Sequence, residues 1–336
     1  MPTSRVDMFI VWRIFQRRTE SLSAEFNLET KYYYYPWENK TKLHKAGSYI
    51  LKTANTLKDL VHFKPSVVFV QLPPTPVLYI VYVYCKLAKC KLVADCHNAM
   101  IYSKWFHWPL AKILLRKVDA LLVHNEDVEH YASQYGLNAI TLRDPLPTLM
   151  DTVDVSRCAQ YPFTKDSYVI VPWSFAPDEP IDELIQAAQQ LPHIKFVMTW
   201  FVERLPQRMR DRMPPNLVLT GYLEDRDFNT IFSQAFAAIV LTKREGTQPS
   251  GASEAIALHV PLIVSDLKTT RKLYEDMPIY IENTVEGIKS GVTIALEEHG
   301  LQKTKIQAFK DNFSRQLEEE IADVARLLDI QNQDKP

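Results

Sequence analysis

The sequence predicts an α/β protein of two domains, each a doubly wound parallel sheet. Three observations carry that prediction. Short runs rich in Val, Ile and Leu alternate with longer stretches of helical periodicity, the pattern of βαβ units. The alternation is interrupted by the proline-bearing, weakly periodic stretch from Arg143 to Asp166, and then restarts. The 336 residues suffice for two domains of ordinary size. The expected division is an N-terminal domain over 1–145, a linker over 146–166, a C-terminal domain over 167–315 and a helical tail over 316–336.

Taken in order, Met8 to Trp12 reads as the first strand and QRRTESLSAEF as a helix, with Leu22 and Phe26 on its apolar side. KYYYYPW reads as an aromatic strand closed by Pro36, and 41–63 as a helix. Pro65 to Pro74 is a β-branched run between prolines, as in a buried parallel strand. A helix over 77–88 and a strand over Lys91 to Asn98 follow. SKWFHWPLAKILLRKVD has amphipathic helical spacing, ALLVHNE reads as a strand, and DVEHYASQYG as a helix stopped by Gly136. After the linker come strand YVIVPW, helix IDELIQAAQQL, strand IKFVMTW, a helix around 204–212, strand NLVLTGY, helix DRDFNTIFSQA, strand FAAIVLT, a loop and helix, strand PLIVSD and terminal helices.

Composition narrows the function. The hydrophobic fraction of 46% and charged fraction of 24% are those of a soluble globular chain. A net charge of -1, with no basic tail, argues against a nucleic-acid partner. Four cysteines without CxxC spacing predict neither a disulfide framework nor a zinc site, and a reducing, cytoplasmic setting is expected. No signal peptide is visible, and the apolar stretch from Val77 to Tyr84 is too short to span a bilayer. Surface attachment to the inner face of a membrane is compatible with all of this.

The most informative stretch runs from Lys243 to Asp266, KREGTQPSGASEAIALHVPLIVSD. It follows a strand, so its loop should lie at the carboxyl edge of a sheet, where open α/β sheets bind ligands. Ser250 or Ser253 could cap the helix through Ala255 to Leu258, whose start offers free amides and a positive dipole end. With Gly251 allowing close approach, this makes a cradle for a diphosphate, with Lys243 and Arg244 adding positive charge. Glu245 and Glu254 suit hydroxyl-rich groups, since a carboxylate accepts two hydrogen bonds.

EGTQPSGASEAIALHVPLIVSD resembles the donor-site signature of GT-B glycosyltransferases, glycosyltransferase family four above all. The resemblance implies two Rossmann-like domains facing a cleft and transfer of a hexose from a UDP- or GDP-sugar. It implies no cofactor and no metal, the nucleotide sugar being a co-substrate. Carried over residue by residue, Glu245 would meet donor-sugar hydroxyls. The loop through Gly246, Thr247, Ser250, Gly251, Ala252 and Ser253 would hold the diphosphate, and Glu254 the ribose. Tyr222 and Leu223, in a segment similar to the one leading to the nucleobase pocket, would lie beside the base. VQLPPTP, ADCHNAMIYS and WSFAPDEPIDELIQA resemble segments of the enzymes that add a beta-mannose to lipid-linked chitobiose.

The chain departs from the family pattern in three ways. Eight residues separate Glu245 from Glu254, one more than usual. WRIFQRRTES lacks the glycine-rich loop after the first strand, so Arg17 and Arg18 are candidates for the acceptor or diphosphate side. WSFAPDEP lacks the basic pair expected there; its Asp178, Glu179 and Asp182 read as the cap and first turn of the next helix.

In the first domain, ADCHN ends a strand and puts Asp95, His97 and Asn98 at the cleft, with His97 or Asp95 as the base for an acceptor hydroxyl. His124, also at a strand end, is the lesser candidate. Trp105, Phe106 and Trp108 with Lys104, Lys112, Arg116 and Lys117 form either a membrane-facing segment for a lipid-linked acceptor or a helix packed on its own sheet. The expected partners are thus a nucleotide sugar and a glycan or lipid-linked acceptor, in polysaccharide or glycoconjugate synthesis. The competing readings are a UDP-sugar epimerase of the same fold and a non-catalytic sugar-nucleotide-binding scaffold. The signature loop resembles mostly retaining enzymes, whereas DCHN and QLPPTP resemble an inverting one.

Overall fold

The computed structural model describes residues 6–147, 164–201 and 205–330. Most of the expected linker, 148–163, lies outside them, as does the start of the expected helix at 204. The chain divides into two compact units, Met1–Pro145 with Arg315–Pro336, and Leu146–Ser314.

The first unit holds β1 (Met8–Val11), α1 (Arg17–Phe26), β2 (Glu29–Tyr32), α2 (Lys42–Phe63), β3 (Val67–Leu72), α3 (Thr75–Ala88), β4 (Lys91–Cys96), α4 (Asn98–Ile101), α5 (Ala111–Leu115), β5 (Ala120–Val123), α6 (Glu126–Ser133) and β6 (Ala139–Thr141). The second holds β7 (Tyr168–Val171), α7 (Ile181–Gln190), β8 (Lys195–Met198), α8 (Gln207–Arg210), β9 (Leu217–Leu219), α9 (Asp225–Ser233), β10 (Ala237–Val240), α10 (Ser250–Ala257), β11 (Leu262–Ser265), α11 (Lys268–Tyr274), β12 (Ile279–Ile281) and α12 (Val285–Glu297). The closing helix α13 (His299–Leu327) starts in the second unit, and its residues from Arg315 belong to the first.

Each unit is one six-stranded sheet whose neighbouring strands are all parallel. The strand orders differ. The first is β2-β1-β3-β4-β5-β6, so the direction of winding reverses between β1 and β3. The second is β12-β11-β10-β7-β8-β9, reversing between β7 and β10, the order of dinucleotide-binding folds. Strands buried on both faces explain the unbroken apolar runs. In β7, Val169 and Val171 pack with α7 and α12 residues such as Leu184, Ile185 and Val292, while Tyr168 and Ile170 pack with Phe232, Ala252 and Ile256 of α9 and α10.

Three local readings need correction. SKWFHWPLAKILLRKVD is not one helix: a 3-10 turn over Lys104–His107 is separated from α5 by Pro109 and by Leu110 at φ 61°. Pro109 lacks the amide that a continuous helix would need. Its aromatics face inward, with Phe106 fully buried, Trp105 and Trp108 packed on the core, and Lys112 over the Phe106 and Tyr135 rings. KYYYYPW enters the sheet only as far as Tyr32, although the Tyr33 amide still bonds to the Val11 carbonyl. The short elements α4, β6 and β12 were not anticipated.

Candidate functional site

In the second unit, a cavity of about 320 Å³ opens at the point where the winding reverses. Val171 to Ser174 at the end of β7 and Ile239 to Thr242 at the end of β10 form two of its walls. Arg244 and the run from Thr247 to Gly251 form another. The volume is that of a small-molecule site.

The loop's backbone suits an anion. Pro249 is the N-cap of α10, so neither Ser250 nor Ser253 caps the helix as expected; Ser250 is its first residue. The Ala252 amide is taken by the Pro249 carbonyl at 3.1 Å. The amides of Thr247, Gln248, Ser250 and Gly251 have no acceptor among the described residues, and all four residues line the cavity. Unpartnered amides at a helix start are the ordinary donors for phosphate.

Packing supplies a further reason for glycine at position 251. A Cβ there would stand 2.6 Å from Pro172 Cγ and 3.2 Å from Val240 Cγ2. The missing side chain lets α10 start directly over the ends of β7 and β10, which brings its amides to the cavity.

The charged residues of the stretch are distributed differently from expectation. Lys243 is paired with Glu183 at 2.8 Å and does not line the cavity. Arg244 does line it, and its guanidinium has no ion pair among the described residues. Glu245 binds the start of α11, accepting from the amides of Lys268 and Thr269, both at 3.1 Å, and from Thr269 Oγ1 at 2.8 Å. These donors hold its carboxyl below the usual range. Thr269 Oγ1 in turn accepts from the Gly246 amide. Glu254 is 7% exposed on α10, and like Gly246, Ala252 and Ser253 it does not line the cavity.

The loop after β7 carries carboxylates where basic residues were expected. Glu179 is not a helix cap; it accepts from the Ser174 and Ala176 amides and from Ser174 Oγ, closing the loop on itself. Asp178 binds the Thr242 hydroxyl, and its carbonyl accepts from the Lys243 amide. Aromatic residues follow three adjacent strands: Trp173 and Phe175 after β7, Trp200 and Phe201 after β8, Tyr222 after β9. Phe175 stacks on Trp200 at 5.7 Å, and exposed Tyr222 on Phe201 at 5.8 Å. Leu223 packs against the core instead. The sequence showed this tier, because each strand runs directly into Trp or Tyr, but only Tyr222 was recognised.

The first unit gathers a polar cluster at the carboxyl edge of its sheet. Asp95 near the end of β4 pairs in register with Gln71 of β3, so both side chains project from the same face. Asp95 is fully buried, and its Oδ1 accepts from Arg18 Nε at 2.9 Å. Arg18 also bonds to Asp144, beyond β6, at 2.5 Å. Thus Arg18 sits between two buried or half-buried carboxylates, Asp95 has no surface from which to take a substrate proton, and Arg17 lies on the exposed side of the same helix. The Arg18 guanidinium and the His124 ring beside it hold Asp144 well below the usual carboxylate range, against the effect of burial.

Two imidazoles complete the cluster. His97 and His124 meet edge to face at 4.5 Å. His124 Nδ1 is 3.1 Å from Asp144 Oδ1, the arrangement that leaves Nε2 as the free ring nitrogen. Burial pulls His97 down to about 4, so it is neutral at pH 7 although its Nε2 lies 3.6 Å from Asp95 Oδ2. Arg18 Nη2, His97 Nε2, His124 Nε2, both Gln71 amide atoms and Asn98 Oδ1 are buried without a partner among the described residues. So many orphaned polar atoms in one place mark a site built for something other than stability. Gln71 lies in the VQLPPTP segment, whose resemblance carries no role for a single residue, and Asp144 in the weakly periodic stretch after Arg143, so neither was singled out. Among the described residues, no group of three or more His, Cys, Asp or Glu side chains is arranged to hold a metal ion.

No protein-family model and no curated protein matches the chain in sequence. Solved structures match it along nearly its whole length. A glycosyltransferase from Rickettsia africae superposes with a TM-score of 0.68 at 11% identity, over 98% of this chain and 100% of that one. Anabaena HepE in complex with UDP gives 0.66 at 10% identity, over 96% and 99%. The chain has the GT-B fold. Within that fold lies another neighbour, the UDP-GlcNAc 2-epimerase from Neisseria meningitidis, with a TM-score of 0.59, 14% identity and coverage of 96% and 99%.

Proposed function

We propose that this GT-B protein is a hexosyltransferase that moves a sugar from a nucleoside-diphosphate sugar to a hydroxyl of a glycan or lipid-linked acceptor, in polysaccharide or glycoconjugate synthesis. One observation carries the reading: four unpartnered amides and Arg244 border a cavity at the winding reversal of the second unit. In this reading the amides and Arg244 take the diphosphate and stabilise it as it leaves, and the aromatic tier offers stacking faces for the base. Glu245 holds the loop in place through α11.

The first unit supplies the acceptor chemistry. His97 and His124 are the candidate bases, with Asp144 setting the tautomer of His124 and Asn98 beside them. A base of this kind serves a single displacement, so inversion at the anomeric carbon is the expected outcome. The resemblance of the DCHN and QLPPTP segments to lipid-linked chitobiose mannosyltransferases supports inversion and a lipid-linked acceptor.

A thermal-shift screen against UDP, GDP, ADP, TDP and CMP tests the donor half, since ligand at 100 times its Kd stabilises by about 2.7 kcal/mol. UDP is the first probe, because HepE holds UDP. Product analysis with the matching sugar nucleotide then discriminates among the readings. Transfer to an added acceptor, abolished in His97→Ala or His124→Ala, supports the proposal. Epimerised free sugar would favour the second reading, to which the Neisseria neighbour belongs. Binding without turnover would make the protein a scaffold.

A further inference from the structure

Helix α2 has its polarity reversed. Its buried face carries Ser48, Lys52, Thr56 and Leu60. Lys52 is fully buried, with its ammonium 2.7 Å from Glu38 and 3.2 Å from the Trp12 carbonyl, and Thr56 accepts from the Trp12 indole at 2.9 Å. The opposite side is apolar and faces outward: Leu43, Gly47, Ile50, Ala54, Leu57 and Val61. Leu43 is 85% exposed, Ile50 71% and Val61 60%. Steps of four and three residues keep these positions in one line, which at helical rise runs about 27 Å. Helix α3, whose Tyr84 hydroxyl bonds to the Leu60 carbonyl, adds the exposed Val83 and Leu87. A soluble helix ordinarily turns such a stripe to the core, and a stripe of this length left outside marks an interaction surface.

Charge identifies the occupant. Lys40, Lys42, Lys58 and Lys64 are exposed on or beside α2, and Lys86 and Lys89 on α3. The acidic groups of the same segment are engaged: Glu38 is buried between Lys52 and Lys45, and Asp59 accepts from the Tyr33 hydroxyl at 2.7 Å. The chain as a whole balances 39 basic against 40 acidic residues, so this face concentrates one sign. Two copies packed through this stripe would bring like-charged rows together. We propose that the α2–α3 face docks on an anionic lipid bilayer, with the stripe in the interfacial layer and the lysines at the headgroups. This inference is independent of the sugar chemistry, and it places membrane contact on α2 rather than on the Trp105–Trp108 segment, whose aromatics pack inward.

Co-sedimentation of the full chain with phosphatidylcholine vesicles, with and without phosphatidylglycerol, tests it. The expected result is partition onto the anionic vesicles alone, weakening with salt. Ile50→Ser with Leu57→Ser, and separately Lys58→Glu with Lys64→Glu, should each reduce partition at least tenfold, because one lysine near an anionic surface is worth roughly fivefold. These residues are exposed, so circular dichroism and the UDP thermal shift should be unchanged, while Lys104→Glu with Lys117→Glu should bind as wild type. Absence of partition, equal partition onto neutral vesicles, or loss only in the Lys104/Lys117 variant would overturn the proposal. A dimer in sedimentation velocity that Ile50→Ser with Leu57→Ser dissolves, without vesicle binding, would assign the face to a second copy instead.

Discussion

His97 and Asp144 lie in one cluster, yet they respond to pH in different ranges. The His97 pKa is depressed on folding, to about 4, so the unfolded chain binds its proton first as pH falls. Stability from this group is therefore full above pH 6.5 and lost between there and about 4. The span corresponds to roughly 3 kcal/mol. Urea midpoints measured across that interval should decline in the wild type and flatten in His97→Gln. Asp144, whose carboxyl is also depressed, contributes above the ordinary aspartate range and is lost only in more acid solution. Arg18→Met should destabilise by about 3–5 kcal/mol at pH 7, because it leaves fully buried Asp95 without its partner. A loss under 1 kcal/mol in denaturant titration would show that the pair is not the keystone of the cluster. Asp95 and His97 were legible as strand-end residues. Their division of labour was not, because it depends on Asp144 and Arg18, which only the fold brings to them.

At the scale of elements, α10 shows how a local sequence sets a site. Gly251 removes the side chain that would strike Pro172, and the helix start then comes down over β7 and β10. Gly251→Ala should cost about 1–3 kcal/mol in thermal or chemical denaturation, the usual penalty for overpacking, and should weaken UDP binding by moving the amides. Full affinity in a destabilised Gly251→Ala protein would separate the glycine from the ligand. The longer helices and the strands that pack on both faces were legible because their apolar periodicity persists over several turns or residues. The three-residue strands β6 and β12 carry no period to read, and the break at Pro109–Leu110 hid behind spacing that fits one continuous helix. The stretch 41–63 was recognised as a helix, but the direction of its faces was not. Nothing local shows that Lys52 is buried and Ile50 exposed.

For the whole molecule, the same α/β pattern produces two sheets of different strand order, and only the second winds like a dinucleotide-binding fold. In the proposed transferase the nucleotide belongs to the second unit, and the histidine cluster of the first serves the acceptor. The central claim is that the amides from Thr247 to Gly251 hold a diphosphate. Hydrogen–deuterium exchange with and without saturating UDP reads those amides directly. Slowed exchange is expected in peptides covering 243–258, centred on Thr247 to Gly251, with that protection lost in Arg244→Ala at the same nucleotide concentration. Exchange that stays unchanged there under saturation, with protection elsewhere in the chain, would contradict the claim.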